Sequence, residues 1–190
     1  MKVMSKGNLI IISGPSGAGK GTVLAEVLRR NPQLKVSVSA TTRKARPGEE
    51  HGVHYFFITH QEFDEKLARN EMLEHAVYCG NYYGTPADYV EQQRLAGNDV
   101  VLEIEPCGAR QVKKKCPDAV MIFILPPNLE VLEKRLRGRG TEIEEVVLAR
   151  IEKAKKEIAN SGDYEYTVVN DTVERAADEI EKILNFKGEI

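Results

Sequence analysis

Nine residues limit what this chain can fold into more than any others: Gly14-Pro15-Ser16-Gly17-Ala18-Gly19-Lys20-Gly21-Thr22. They follow the short apolar run Leu9-Ile10-Ile11-Ile12 and lead into residues 22–30, where Val23, Leu24, Val27 and Leu28 fall on one helical face. A buried strand, a glycine-rich turn and a helix that opens beside a lysine are the setting of a phosphate-binding loop, or P-loop. Glycines let successive backbone N–H groups point into one concavity. The helix N-terminus adds partial positive charge, and Lys20 reaches the outer phosphates. A glycine-rich turn that binds nothing is the competing reading, and strand, spacing, lysine and helix together stand against it.

The surrounding pattern extends this unit into a layered domain. Val120-Met121-Ile122-Phe123-Ile124-Leu125 is a second apolar run, ended by proline. Residues 100–104 and 167–169 are weaker runs of the same type, suited to strands covered on both faces. Helical patterns lie over 22–30, 61–70, 129–137, 142–161 and 172–185. Strands alternating with helices imply βαβ units, so the expected fold is α/β: a three-layer P-loop NTPase core with a mostly parallel sheet. Residues 36 to about 86 depart from that pattern. They hold Tyr55, Phe56, Phe57, Phe63, Tyr78, Tyr82 and Tyr83 and the turn signals Arg46-Pro47-Gly48 and Gly80-Asn81, which predicts an insertion with short strands. Lys113–Lys115 reads as a solvated helix end.

Composition removes other classes. The 190 residues are 42% hydrophobic with a formal net charge of −2, which excludes intrinsic disorder. There is no bulk excess of cations to displace the counterions of a nucleic acid polymer. Cys79, Cys107 and Cys116 form no C-x-x-C pair, so neither a disulfide framework nor a zinc site is expected, and buried, inert thiols are the default. The longest apolar run, residues 119–125, falls short of the roughly 20 residues of a membrane span. Residues 9–12 are too short for a signal-peptide core. These features point to a cytoplasmic, reduced protein with no membrane partner.

A P-loop alone does not separate GTPases, ATPases and kinases, and the guanine-specific N-K-x-D motif of G-proteins is absent. The loop is followed by Ser37-Val38-Ser39-Ala40-Thr41-Thr42-Arg43-Lys44-Ala45-Arg46-Pro47-Gly48-Glu49, then by Gly52-Val53-His54-Tyr55-Phe56-Phe57. Leu73-Glu74-His75-Ala76 and Gly80-Asn81-Tyr82-Tyr83-Gly84-Thr85-Pro86 come next. Gly108-Ala109-Arg110-Gln111-Val112, Arg135-Leu136-Arg137-Gly138-Arg139-Gly140-Thr141 and Val168-Val169-Asn170-Asp171 complete the series. In this order, from about residue 7 to the C-terminal helix, these motifs resemble guanylate kinase. The resemblance implies phosphoryl transfer from ATP to GMP, giving ADP and GDP, in purine nucleotide metabolism. It implies Mg²⁺ accompanying ATP, and dGMP as a further acceptor. Gly21 stands where Ser or Thr usually follows the lysine, so the metal-ligating hydroxyl falls to Thr22. This GKGT form is common among small nucleotide kinases.

By the same resemblance, Gly14, Pro15, Ser16, Gly17, Ala18, Gly19, Lys20, Gly21 and Thr22 bind ATP together with Arg135 and Arg139, and Asn170 lies near adenine. Arg43 and Arg46 fork onto the acceptor phosphate, a role suited to an always-charged guanidinium. Without the family, both would read equally well as an exposed basic turn. Tyr55 and Tyr83 donate phenol hydrogen bonds to that phosphate. Glu74 accepts from guanine N1–H and the N2 amine, which selects guanine over adenine, with Ser39 and Thr85 also near the base. Glu103 and Glu105 end the third apolar strand, and their spacing of two aims both carboxylates the same way. Both are expected at the GMP site: Glu103 for water-mediated magnesium contact, Glu105 for the guanine amine. The family usually has Asp, an apolar residue and Gln where this chain has Glu105-Pro106-Cys107, so the carboxylate sits on a longer stem and Pro106 can reshape the strand end. His54 stands where Asp is usual and reads as a satisfied surface histidine.

An acceptor phosphate is already ionised, so no general base is required. Catalysis reduces to positioning and to neutralising the transferring group, here by Lys20, Arg43, Arg139 and Arg150. Gly138 and Gly140 around Arg139 suggest a mobile lid that excludes water. Arg137 and the lysines of 153–156 read as a salt-bridged helix face. The expected organisation is a single domain over 1–190. Its core covers about 1–36, 87–126 and 158–190, the GMP-binding region about 37–86, and the lid about 127–157. A homo-oligomer is compatible with this reading. Two alternatives stand beside it. One is a non-catalytic guanylate-kinase-like interaction module, opposed by the intact loop and by Arg43, Arg46, Arg139 and Arg150. The other is a nucleoside-monophosphate kinase with relaxed base choice, motivated by Glu105.

Overall fold

The structure, a computed structural model, describes residues 6–78, 80–138 and 144–188, the last three as backbone. Arg139 and Gly140, on which the lid expectation partly falls, lie outside the described residues, as does Cys79. In chain order the elements are β1 (Leu9–Ser13), α1 (Lys20–Arg30), β2 (Lys35–Val36), β3 (Ala40–Thr41), β4 (Phe56–Phe57), α2 (His60–Ala68), β5 (Met72–Tyr78) and β6 (Asn81–Pro86). They continue with α3 (Ala87–Leu95), β7 (Val100–Glu103), α4 (Pro106–Lys115), β8 (Val120–Leu125), α5 (Leu129–Arg137), α6 (Glu144–Ala159), β9 (Tyr166–Val169) and α7 (Val173–Gly188).

A five-stranded sheet has the order β2-β7-β1-β8-β9. The β2–β7 and β8–β9 pairings are parallel. The Val100 and Ile104 amides donate to the Asn8 and Ile12 carbonyls, so β7 and β1 also advance in the same direction. The sheet is thus the mostly parallel one expected of an α/β fold. All five residues of β1 are buried, and β8 is buried through Ile124. These are the continuous apolar runs of strands covered on both faces.

Two helices escaped the hydrophobic pattern. In α3 only Val90 and Arg94 are buried, too few to mark a period. Helix α4 begins on Pro106 and contains Gly108. Pro106 opens this helix, where its fixed φ and missing N–H suit the first helical position. At the other end of α4, Lys113 and Lys115 are not simply solvated. Their ammonium groups donate to the Ala119 carbonyl, at 2.7 Å, and to the Met72 carbonyl. Among the described residues, no helix is long and apolar enough to cross a membrane.

The chain divides into two compact units. One comprises Met1–Ile10, Leu34–Leu102 and Cys107–Ala119; the other comprises Ile11–Gln33, Glu103–Pro106 and Val120–Ile190. The first contains a four-stranded sheet of order β4-β3-β6-β5, in which β6 pairs antiparallel with both β3 and β5. Its core is Ala40, Phe63 and Met72, flanked by Phe56, Ile58, Leu67 and Tyr82. Helix α2 starts with a reciprocal cap: the Glu62 amide donates to the Thr59 hydroxyl and the Thr59 amide to the Glu62 carboxylate. In the second unit, Leu132, Leu136, Val147, Ile151 and Ala154 seal α5 against α6. Arg30 ties α1 to α7 through Asp178 and Glu181.

Candidate active site

The P-loop leaves β1 and enters α1 at Gly19, whose φ of 85° is left-handed and whose notional Cβ would stand 2.4 Å from the Asn170 side-chain nitrogen. Only glycine meets both conditions. Helix α1 has no side-chain cap and no acidic residue in its first turn. Its first N–H groups are thus left for a ligand, with the positive end of the helix dipole behind them. The loop is braced from the opposite side. The Asn170 amide donates to the Ala18 carbonyl at 2.8 Å, while Arg135 donates to the Ala18 and Asn170 carbonyls at 3.2 and 3.3 Å. Among the described residues, the Asn170 side-chain oxygen is buried without a partner, an acceptor still to be satisfied.

A cavity of about 340 Å³ opens beside the loop, lined by Ser16, Gly17, Gly19, Lys20, Gly21, Thr22, Glu103 and Glu105. Lys20 folds back onto its own loop and donates to the Gly14 and Pro15 carbonyls at 2.7 and 3.2 Å. Burial lowers its pKa, opposed by the charges of Glu103, Glu105 and Glu157. The Glu103 carboxylate lies 3.5 Å from where a Cβ on Gly21 would stand, and Thr22 is exposed to the same cavity. Glu105 accepts from Lys153 of α6 at 2.8 Å. Lys153 and Glu157 therefore belong to the surroundings of this cavity. Lys153 is a salt-bridged helix face only in part, and nothing in the helical pattern distinguishes it from Lys155, which pairs locally with Glu152. Arg150, half-buried, stands one turn earlier on α6.

In the first compact unit, Arg43 is gripped by both oxygens of Glu49 at 2.9 Å. Its guanidinium stands 5.5 Å from the centre of the Tyr55 ring, and Tyr55 meets Tyr83 edge-on at 6.1 Å. Arg43 also interacts with the Tyr83 hydroxyl. Arg43, Tyr55 and Tyr83 thus form one cluster, while Arg46 is exposed at its edge and lends its backbone amide to Glu49. Hydrogen bonds from Arg43 and Arg46 hold the Glu49 carboxyl down at about 2. Glu49, part of a quoted motif but given no role from sequence, is the orienting partner of Arg43.

Glu74 is buried in the same compact unit. It accepts from the Thr85 hydroxyl at 2.8 Å, across the β5–β6 pairing that sets the two residues opposite each other. Burial raises its pKa, countered in part by Thr85 and Lys115. Gly108 is a second residue without an assigned role: a Cβ there would lie 2.7 Å from the Glu74 Oε2. Ser39, half-buried just before β3, accepts from the Phe56 amide through its carbonyl. His54 is a surface histidine whose ring accepts from the Glu50 amide. Cys107 corrects the expectation of buried thiols: it is free and exposed, because it sits on the outer face of the first turn of α4.

Comparison with known proteins gives the family. The family model described as guanylate kinase matches residues 6–187. The guanylate kinase of Carboxydothermus hydrogenoformans is 51% identical over 95% of this chain and 89% of its own length. That of Lactococcus lactis subsp. lactis is 54% identical over 94% and 87%. The crystal structure of guanylate kinase from Anaplasma phagocytophilum superposes with a TM-score of 0.75 at 33% identity, covering 97% of this chain and 88% of that one. With a P-loop of this geometry and a match over nearly its whole length, the chain belongs to the guanylate kinase family.

Proposed function

We propose that the protein is an ATP-dependent guanylate kinase that transfers the terminal phosphoryl group of ATP to GMP, giving ADP and GDP. The observation that carries the base assignment is Glu74, a buried carboxylate bonded by Thr85 in a chain with an intact P-loop. A carboxylate can accept two parallel N–H bonds, which guanine offers through N1 and N2 and adenine does not. A buried acceptor left unpaired by the wrong base is costly, so discrimination is strong.

The donor ATP is assigned to residues 14–22, with Lys20 and the free N–H groups of α1 on its phosphates and Arg135 supporting the loop. The unpartnered Asn170 oxygen suits the exocyclic amine of adenine. Arg43, Arg46, Tyr55 and Tyr83 are assigned to the GMP phosphate, with Ser39, Glu74, Thr85 and Glu105 to guanine. Arg139 and Arg150 are assigned to the charge of the transferring group, with residues 127–157 as lid, 37–86 as GMP-binding region and the remainder as core. No side chain acts as general base, because the attacking phosphate oxygen is already ionised.

The residues around the loop fit Mg²⁺. Thr22 offers a hydroxyl and Glu103 a carboxylate into the cavity that holds Lys20, the oxygen donors that this hard cation prefers. When bound with ATP, the ion supplies charge neutralisation between the phosphates. dGMP is a further acceptor, since no residue named above requires the 2′-hydroxyl. An exposed free Cys107 is consistent with a reducing cytoplasmic location. The reading is tested by coupled ADP release with GMP, dGMP, AMP and CMP. GMP and dGMP turn over and AMP is a poor acceptor; robust AMP turnover with none on GMP would overturn it.

A further inference from the structure

Three carboxylates influence Lys20: Glu103, Glu105 and Glu157. A loop that must attract a polyphosphate thus has three carboxylates around its lysine, and their charge has to be held away from that lysine. The structure shows how two of the three are occupied. Lys153 of α6 holds Glu105 at 2.8 Å and Glu157, one turn along the same helix, at 3.7 Å. Lys20 meanwhile donates to the Gly14 and Pro15 carbonyls and, among the described residues, to no carboxylate.

Glu105 is the critical member. It lines the loop cavity, it is exposed, and its side chain has one more rotatable bond than an aspartate. Left without a partner, a flexible carboxylate beside a partly desolvated ammonium is drawn toward it, since attraction strengthens as the local dielectric falls. Lys20 bound to Glu105 would be lost to phosphate. Lys153 and Glu105 are both substantially exposed, at 56% and 63%, so their pairing contributes little to the fold. Its consequence is local.

We propose that Lys153 is a positioning residue for the donor site: it engages Glu105 and Glu157 and so keeps the Lys20 ammonium available to the phosphates of ATP. The proposal rests on the assignment of ATP to the P-loop. Lys153 touches neither substrate in this account. It acts on affinity for ATP through Lys20; Glu105, its partner, is assigned to guanine as well, so the diagnostic readout is ATP binding and not the KM for GMP.

The test is a double-mutant cycle read by calorimetric titration of ATP, with steady-state kinetics alongside. Lys153→Met keeps the aliphatic stem and removes the charge. Removing one unit charge at this range in a partly solvated site weakens ATP binding by about three- to tenfold. KM for ATP rises by the same factor, while kcat stays within twofold. Lys153→Arg restores wild-type affinity. In a Glu105→Gln background, Lys153→Met loses at least half of its effect. Unchanged ATP affinity in Lys153→Met overturns the proposal, as does an equal loss in both backgrounds or a loss confined to GMP. A wild-type protein that binds ATP without phosphorylating GMP would sink the kinase assignment while leaving the Lys153 comparison intact.

Discussion

On the proposed assignment, the two compact units meet their substrates in different ways. The P-loop unit uses backbone: uncapped N–H groups of α1, a left-handed Gly19, and a single lysine resting on its own loop carbonyls. The other unit uses side chains, each held by another: Arg43 by Glu49, Glu74 by Thr85, Tyr55 against Tyr83. A backbone cradle is insensitive to which side chains surround it and indifferent to what lies beyond the phosphates. A cradle of paired side chains can read a base, and it fails when either member of a pair is lost.

The largest effect that separates the two is expected at Lys20. Lys20→Met should lower kcat/KM by at least about 100-fold, as removal of a preorganised charge does. The melting temperature should barely move, because among the described residues Lys20 is bonded only to its own loop carbonyls. A melting temperature that fell by ten degrees or more would make Lys20 a structural residue and blur the contrast. Next is Arg43. Arg43→Met removes a charge-assisted fork, so KM for GMP should rise about 10- to 100-fold with KM for ATP little changed. Equal losses for both substrates, measured by varying each at saturation of the other, would show that Arg43 is not an acceptor-side residue.

Gly108→Ala is a finer probe. Its methyl would meet the Glu74 carboxylate at 2.7 Å and push it from its place beside Thr85. KM for GMP should rise about tenfold and the preference for GMP over IMP should shrink, with ATP binding by calorimetry unaffected. A variant with wild-type GMP/IMP discrimination would remove Glu74 from base reading.

The smallest effect concerns pH. Burial raises the folded pKa of Glu74 above its ordinary 4.5. The folded chain then holds this proton to higher pH than the unfolded chain does. Stability contributed by this group therefore falls as pH rises from about 4.5 through the raised folded value. Glu74→Gln, neutral throughout, should gain in melting temperature relative to wild type as pH climbs through that window. A Glu74→Gln melting temperature that does not gain on the wild type through that window would contradict the burial.

These differences also decide how much could be read before the fold was known. Gly14 to Thr22 was legible because backbone chemistry is written locally, in glycines between an apolar strand and an amphipathic helix. Strands β1 and β8 were legible for the same reason. Glu74 was legible only through its resemblance to a family motif. Nothing local distinguishes it from any surface acid, and its partners Thr85 and Gly108 lie 11 and 34 positions away. Glu49 had no role in the sequence and Lys153 only that of a salt-bridged helix face, because pairing across a turn or between α6 and the residues after β7 has no period. Helix α4 was hidden by Pro106 and Gly108, residues that usually mark its absence; the first is tolerated at the first helical position and the second is required beneath Glu74.

The central claim is that a backbone cradle for ATP and a side-chain cradle for GMP serve one reaction. Its most direct test is initial-rate ADP release at saturating ATP and Mg²⁺, with GMP and AMP compared as acceptors on the same enzyme. The account predicts GDP formation from GMP, with kcat/KM for AMP lower by at least about 1,000-fold, as a site of buried polar pairing demands. AMP turned over as well as GMP, or ATP consumed equally with no acceptor present, would contradict it.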